Sequence, residues 1–165
     1  MIVLGMTIQA FIHTAISVVA IVAGFPVLAG LLKSQRCEGW TSLFLIMTVA
    51  TSLTGVVLPA ATFTPAHGVA ILALLVLLFT VPAKYVFDLQ GTWRPIYVIG
   101  TVISLYLNVF VLIIQLFGKV PALKALAPTQ SEPPFAIVQG IALIAFIVLG
   151  YMATRKFHPR PVMMA

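Results

Sequence analysis

The stretch TSLFLIMTVATSLTGVVLPAATFTPAHGVAILALLVLLFTVPAKYVFDL, Thr41–Leu89, decides the fold because it is apolar almost throughout. As a single helix it would extend about 73 Å at 1.5 Å per residue, far beyond the roughly 30 Å of hydrocarbon in a bilayer. A break is expected within Pro59–Pro65, where Thr64 and Pro65 have the pattern of an N-cap followed by the first helical residue. We therefore predict two helices joined by a tight turn, 41–63 and 65–89.

Outward from this stretch, length and apolar composition predict three more membrane-spanning helices. A polar hairpin, Lys33–Gly39, separates the first two helices, and the four prolines of Lys119–Pro134 rule out one continuous helix there. The predicted fold class is all-α: a polytopic bundle of about five transmembrane helices forming one domain, 1–165. The predicted helices are 7–32, 41–63, 65–89, 95–118 and 135–154, with an outer loop at 119–134.

Composition supports a membrane protein. Of 165 residues, 62% are hydrophobic and 7% are charged, whereas soluble domains carry about 25% charged residues. With so few charges the chain cannot cover its exterior with groups that prefer water, so its expected surroundings are a lipid bilayer. The net charge of +6 is spread in short groups beside apolar runs and forms no basic face, so no nucleic-acid partner is expected.

The basic residues also predict an orientation. Taken loop by loop, seven lie on one side and only Lys119 and Lys124 on the other. Because basic residues of short loops stay on the cytoplasmic side, the N-terminus should be outside and the C-terminus cytoplasmic, in a bacterial-type cytoplasmic (inner) membrane. At a helix end on the cytoplasmic side, Lys84 can pair with Asp88 one turn later. The seven residues are Lys33, Arg36, Lys84, Arg94, Arg155, Lys156 and Arg160.

Polar and small residues recur at helical spacing in three of the predicted helices. On the first, Gln9, His13 and Ser17 are four residues apart, which places them on one face. Polar side chains avoid lipid, so these faces should point into the bundle. Helix packing accounts for the serines and threonines taken alone. The stripes of the other two helices are Thr41, Thr48, Ser52, Gly55 and Pro59, and Tyr97, Thr101, Ser104, Asn108 and Gln115.

Longer polar side chains among and beside these stripes are harder to explain by packing, and they fall in the outer half of the bundle. At 1.5 Å per residue the expected depths run from roughly 5 Å for Gln115 to about 15 Å for Asn108. This asymmetry predicts a polar pocket that opens to the outside. Its predicted ligand-binding residues are His13, Ser17, Ser52, Asn108, Gln115 and Gln139.

The outer loop covers the same leaflet. Gln130 and Glu132, just before the fifth helix, are therefore predicted to form a lid over the pocket. The alternative for Glu132 is a cap, since a carboxylate is stabilised at a helix N-terminus.

The function predicted from these features is binding or accessory: the protein would hold a small molecule or lipid head group, or dock to a larger membrane complex or to a second copy of itself. One alternative is a b-type haem or quinone redox protein in which His13 and His67 are the haem ligands. Their expected depths differ by about 9 Å, which is awkward for one haem plane. A second alternative is a small-solute transporter or channel, although no acidic residue falls mid-helix. Gly-x-Ser-x-Gly and His-Glu-x-x-His patterns are absent, so we do not expect catalysis or another metal site.

Overall fold

The computed structural model describes residues 2–3, 6–57 and 64–159. Apart from a short antiparallel pair of two-residue strands, β1 (Ile2–Val3) and β2 (Met6–Thr7), the regular elements of this part are helices. Five of them are long and apolar enough to cross a membrane, as predicted. The helices are α1 (Ile8–Leu32), α2 (Glu38–Val57), α3 (Pro65–Tyr85), α4 (Trp93–Lys119), α5 (Pro121–Leu126) and α6 (Pro133–Lys156).

Helix boundaries differ from the predicted ones mainly around α3. The helix begins at Pro65 as expected but ends at Tyr85, four residues before the predicted Leu89. Asp88 and Leu89 have positive φ angles, and the Leu89 N–H donates to the Ala83 carbonyl, so the backbone turns away from the helix axis. The predicted residues 58–63 of the second helix lie outside the described part of the chain.

The connection between α4 and α6 contains one short helix that the sequence analysis did not predict. Pro121 starts the short helix α5 at a position where its missing N–H costs nothing. Val120 before it is extended and ends α4. Prolines in this connection therefore begin helices as well as interrupt them.

The first four long helices form a ring in chain order. α1 packs on α2, α2 on α3, α3 on α4, and α4 returns to α1, while α6 lies outside the ring against α4 and α1. Neighbouring helices run antiparallel, so the ring has two distinct ends. We call the end formed by the start of α1, the end of α2, the start of α3 and the end of α4 the cavity end, and the opposite end the ion-pair end.

The bundle is tightly packed from its middle to the ion-pair end. A Cβ on Gly24 would overlap Leu105 and crowd Phe44, and one on Gly100 would overlap Thr80. The glycines at these two positions allow the helices to pack tightly. The largest buried side chains of this core include Phe44, Phe157, Leu31, Leu45, Leu105, Val27 and Val98.

Two ion pairs join loops and helices at the ion-pair end, and they correct the predicted Lys84–Asp88 pair. The Lys84 ammonium instead bonds the Glu38 carboxylate at 2.5 Å, and the Arg36 guanidinium bonds Asp88 at 2.8 Å. The prediction failed because α3 ends at Tyr85, so Asp88 is no longer one helical turn beyond Lys84. The Lys84 side chain is only 6% exposed, and its ammonium lies 5.8 Å from the centre of the Tyr97 ring.

Candidate ligand-binding cavity

A cavity of about 390 Å³ lies inside the ring of α1, α2, α3 and α4 at the cavity end. Ligand pockets typically measure about 300–1,000 Å³, so this space suits a small ligand. On α4 the lining runs from Leu107 near the middle of the bundle to Val120 at its end, which corresponds to roughly 20 Å along the axis.

Small residues on the facing helices create the space. Ala10, Ala66, Ala70 and Ala73 line it, and their side chains end at Cβ. Gly55 allows α2 to lie close to α3 and to the His13 ring. A Cβ at Gly55 would lie 3.3 Å from the Ala70 Cβ and 3.4 Å from His13 Cε1. The His13 ring thus rests against α2, beside α3. Larger apolar residues complete the wall: Val18, Ile21, Val69, Leu107, Val111, Leu112 and Leu116.

The structure brings five of the six predicted ligand-binding residues to this one cavity. They come from three helices, and Gln115 is the most exposed of them, near the end of α4. Their role in binding stays a prediction, but their convergence is a property of the fold. The five are His13, Ser17, Ser52, Asn108 and Gln115.

Gln139 is the predicted residue that does not line the cavity. It is buried between α6 and α4, where its Nε2 donates to the Phe110 carbonyl at 3.2 Å. Because α6 packs outside the ring, an inward-facing residue of α6 meets the outer face of α4. The sequence pattern showed that Gln139 faces protein, but not which side of α4 it faces.

The two predicted lid residues do not line the cavity either. Gln130 Nε2 donates to the Ile114 carbonyl at 3.0 Å, which attaches the loop to α4. Glu132 accepts hydrogen bonds from the Thr129 N–H and hydroxyl and from the Ser131 N–H. The same loop buries Ala127 in a small apolar cluster with Ile113 and Phe117 of α4 and Leu123 of α5. The lid stays a prediction, since among the described residues Gln130 bonds α4 and Glu132 bonds its own loop.

His13 is held by a hydrogen bond that crosses from α1 to α2. Its Nδ1 lies 2.8 Å from the Thr54 hydroxyl. Thr54 also lies 2.7 Å from the Ala50 carbonyl of its own helix. One turn deeper on α1, the Ser17 hydroxyl donates to the His13 carbonyl at 2.7 Å and lies 3.4 Å from the Thr51 hydroxyl.

His67 is held within the first turn of α3. The Thr64 backbone N–H donates to its Nδ1 at 3.1 Å, and the Thr64 hydroxyl lies 2.7 Å from the same atom. A ring nitrogen that accepts from a backbone N–H carries no hydrogen, so the hydrogen of this imidazole is on Nε2. His67 thus combines helix capping with a place on the cavity wall.

Asn108 and Ser52 occupy the deeper part of the polar wall. Asn108 Nδ2 donates to the Thr48 hydroxyl at 3.2 Å, which ties α4 to α2 across the ring. The Ser52 hydroxyl donates to the Thr48 carbonyl at 2.8 Å. These contacts fix the orientation of both side chains within the bundle.

The charged side chain that lines the cavity is basic. Among the described residues that line it, Lys119 is positively charged and none is acidic. Within the same described part of the chain, no cluster of three or more histidine, cysteine or acidic side chains is arranged to hold a metal ion. The wall therefore favours neutral or negatively charged ligands over cations.

Sequence reasoning missed Thr54, Thr51 and Lys119. Thr54 and Thr51 fall off the stripe Thr41–Thr48–Ser52–Gly55, so helical spacing alone gave no reason to select them. They meet α1 because α2 presents a second face to it. Lys119 was treated only as an indicator of orientation, although a lysine one turn beyond Gln115 could have been added to the α4 stripe.

A second cavity, of about 380 Å³, lies between α4 and α6 and differs in chemistry. Its wall is apolar apart from two tyrosines and Thr154, whose hydroxyl donates to the Gly150 carbonyl. A space of this kind can be filled by lipid chains but offers few groups for recognising a specific ligand. The cavity inside the ring is thus the better candidate site.

No family model matches the chain, and no curated protein or solved structure matches it either. The residues of the cavity are therefore the basis on which a function can be assigned.

Proposed function

We propose that this protein is a multi-pass membrane protein that binds a small molecule or a lipid head group in the cavity inside the α1–α4 ring. The observation that carries the proposal is the meeting of His13, Ser17, Ser52, Asn108 and Gln115, from three helices, around one space of about 390 Å³. Polar groups in a bundle are costly unless they are paired or used. Here all five are gathered at one end, and hydrogen bonds orient four of them, His13, Ser17, Ser52 and Asn108.

The distribution of charge supports an orientation for this protein in the bilayer. The basic residues at the ion-pair end outnumber those at the cavity end, which are Lys119 and Lys124. By the positive-inside rule the ion-pair end would face the cytoplasm and the cavity would open outward, with the N-terminus outside. A bacterial-type inner membrane fits this arrangement. In the described part of the chain, the basic residues at the ion-pair end are Lys33, Arg36, Lys84, Arg94, Arg155 and Lys156.

The packed core favours binding over a channel. Below the cavity, Ala20, Phe44 and Leu105 are at most 1% exposed, and a Cβ at Gly24 would have no room. A solute that entered from the cavity end would meet this core after about half the length of the bundle. The space is therefore a pocket closed at its base.

The haem alternative is weakened by the His67 hydrogen bonds. Iron binds a ring nitrogen that has a lone pair, whereas the Thr64 N–H leaves the hydrogen of His67 on Nε2. Ligation would require this cap to break. Purified protein from haem-replete cells should show no Soret band, and a band that His13→Ala removes would restore the haem alternative.

The proposal can be tested by filling the cavity. Ala73 lines it and is 6% exposed, so Ala73→Leu places three additional carbons in the space. Native mass spectrometry of protein extracted from its own membranes in mild detergent should show a bound small molecule on the wild type. The Ala73→Leu variant should lose that mass.

Ala145→Leu is the matched control, because Ala145 is exposed on α6 outside the ring. The control should retain the bound mass of the wild type. Equal occupancy of Ala73→Leu and wild type, or no bound small molecule on any of the three, would refute the proposal.

A further inference from the structure

The second cavity, of about 380 Å³ between α4 and α6, is a groove that is open along one side. Val102 and Phe146 are buried at its floor. Gly150 brings α6 close to α4 there, since an added Cβ would lie 3.3 Å from Val102 Cγ1. The rims are exposed, with Ile99 on α4 and Ile147 on α6. In the membrane placement proposed above, this groove therefore faces lipid.

The groove has the length and the position of one lipid leaflet. On α6 its lining runs from Leu143 to Thr154, which is about 17 Å along the axis at 1.5 Å per residue. The hydrocarbon of a bilayer is roughly 30 Å thick, so this length corresponds to about one leaflet. On α4 the lining runs from Ile99 to Tyr106, in the half of the helix nearer the ion-pair end. One acyl chain of a lipid in the leaflet at that end can therefore fill the groove.

A basic residue lies beside the groove at its ion-pair end. Arg155 follows the groove residue Tyr151 by four positions, so the two side chains share one face of α6. Both are exposed. A guanidinium group binds phosphate oxygens bidentately, and a tyrosine hydroxyl can donate to one. Lys156, the next residue, is turned about 100° further from the groove.

The ion-pair end has an excess of positive charge around this basic residue. Its two acidic residues, Glu38 and Asp88, are bonded to Lys84 and Arg36, so neither of these two ion pairs includes Arg155. In the described part of the chain, basic residues at this end outnumber acidic ones by six to two. Basic sites between transmembrane helices attract anionic lipid head groups.

We propose that the groove between α4 and α6 binds an anionic phospholipid, with one acyl chain in the groove and the phosphate at Arg155 and Tyr151. The apolar rims hold the chain, and the charge of the ion-pair end selects a head group with a net negative charge. A helix of a second copy would cross both leaflets, whereas the groove extends through one. This site goes beyond the proposed function and shares with it only the placement of the helices in a bilayer.

Head-group selection is tested with two lipids that have the same acyl chains. Full-length protein is stripped of lipid in detergent and titrated with palmitoyl-oleoyl phosphatidylglycerol or palmitoyl-oleoyl phosphatidylcholine, and adducts are counted by native mass spectrometry. The anionic lipid should bind about fivefold more tightly than the zwitterionic one, because it adds a net negative charge beside the basic residues. Equal affinity for the two lipids would overturn the proposal.

Two neighbouring basic residues of α6 provide a matched pair of variants. Arg155→Gln should lower the affinity for phosphatidylglycerol about fivefold, since it removes one basic residue next to the phosphate. Lys156→Gln changes the net charge equally but on another face, and it should bind as the wild type does. Equal losses in both variants would show that general positive charge, and not this groove, attracts the lipid, and would overturn the proposal.

The acyl-chain part of the site is tested by filling the groove. Ile147→Trp places an indole ring between the rims and should remove the phosphatidylglycerol adduct. Ile141 lies on the same helix outside the groove lining and is exposed to a similar extent, 64% against 61% for Ile147. Ile141→Trp should therefore retain the adduct. An adduct that Ile147→Trp leaves in place would overturn the proposal.

The Ala73→Leu variant separates this site from the cavity inside the ring. It should leave the phosphatidylglycerol adduct unchanged, because Ala73 lines the other cavity. An adduct lost in Ala73→Leu and kept in Ile147→Trp would overturn this inference and support the proposed function. A dimer mass lost in Ile147→Trp, with no lipid adduct on the wild type, would assign the groove to a second copy and also overturn the inference.

Discussion

The ion-pair end and the cavity end are built from the same four helices, yet they bury different kinds of residue. At the ion-pair end, Phe44, Leu105 and Val98 fill the space between helices, and Lys84 is held by Glu38. At the cavity end, alanines and Gly55 leave a space surrounded by histidine, amide and hydroxyl groups. The difference teaches that one set of four helices can be tightly packed at one end and leave a polar space at the other.

The largest effect should come from adding the same bulk at both ends. Ala23 is completely buried in the core, and Ala73 lines the cavity. Because a packed core cannot accommodate three more carbons, Ala23→Leu should reduce the free energy of unfolding by about 3 kcal/mol. Ala73→Leu should reduce the free energy of unfolding by less than about 1 kcal/mol, because the cavity has room for the added carbons.

Thermal unfolding followed by circular dichroism in one detergent compares these two variants. Ala145→Leu, on the exposed face of α6, serves as the reference for the substitution itself. An equal loss of stability at Ala23 and Ala73 would show that the two ends are packed alike and would break the comparison.

A smaller effect is expected from the buried ion pair. Glu38→Ala leaves the Lys84 ammonium, 6% exposed, without its carboxylate. Removing one partner of a buried pair costs about 3–5 kcal/mol, but Glu38 is 55% exposed, so solvent screening reduces the expected cost to about 2 kcal/mol. Chemical unfolding of the purified variant measures this loss.

Two further variants sharpen this prediction. Lys84→Met in the Glu38→Ala background should recover most of the stability, because an uncharged side chain needs no partner. Asp88→Asn should cost less than about 1 kcal/mol, since the Asp88 side chain is 65% exposed. If Asp88→Asn lowered the free energy of unfolding more than Glu38→Ala does, the Arg36–Asp88 pair would contribute more stability at the ion-pair end than the Lys84–Glu38 pair.

The smallest effect concerns Glu132 in the loop at the cavity end. Partial removal from water raises its pKa, but hydrogen bonds from the backbone and from Thr129 and Ser131 outweigh this, so the pKa of Glu132 is lowered. A lowered pKa in the folded state means that the loop contribution is present above the usual glutamate pKa and is lost as the pH falls through the lowered pKa. Carboxyl ¹³C shifts should therefore place the Glu132 midpoint below the roughly 4.3 of free glutamate.

Thr129→Val should move this midpoint upward, because it removes one of the hydrogen bonds to the charged form. Binding in the cavity should not change over the same pH range, since Glu132 does not line it. A pH-dependent loss of binding with the Glu132 midpoint would instead support the lid.

Several features of the site followed from sequence and others did not. The stripe through His13 and Ser17 correctly placed these side chains inside the bundle, because a 3.6-residue period is a local property of the chain. Thr54 was missed because its importance lies in a contact with a residue 41 positions away. Gln139 does not line the cavity although the sequence predicted that it would, because the position of α6 outside the ring follows from packing between helices and not from its own pattern.

By itself, the sequence determined that five helices are long and apolar enough to span a bilayer, and which faces of α1, α2 and α4 point inward. Hydrophobicity and helical period are read residue by residue, and neither depends on a neighbouring helix. Only the tertiary structure decided that three polar stripes share one cavity, that Lys84 pairs with Glu38, and that His13 lies within hydrogen-bond distance of Thr54. Those features depend on which helices are adjacent and on the spaces their side chains leave, and this is set by packing across the whole bundle.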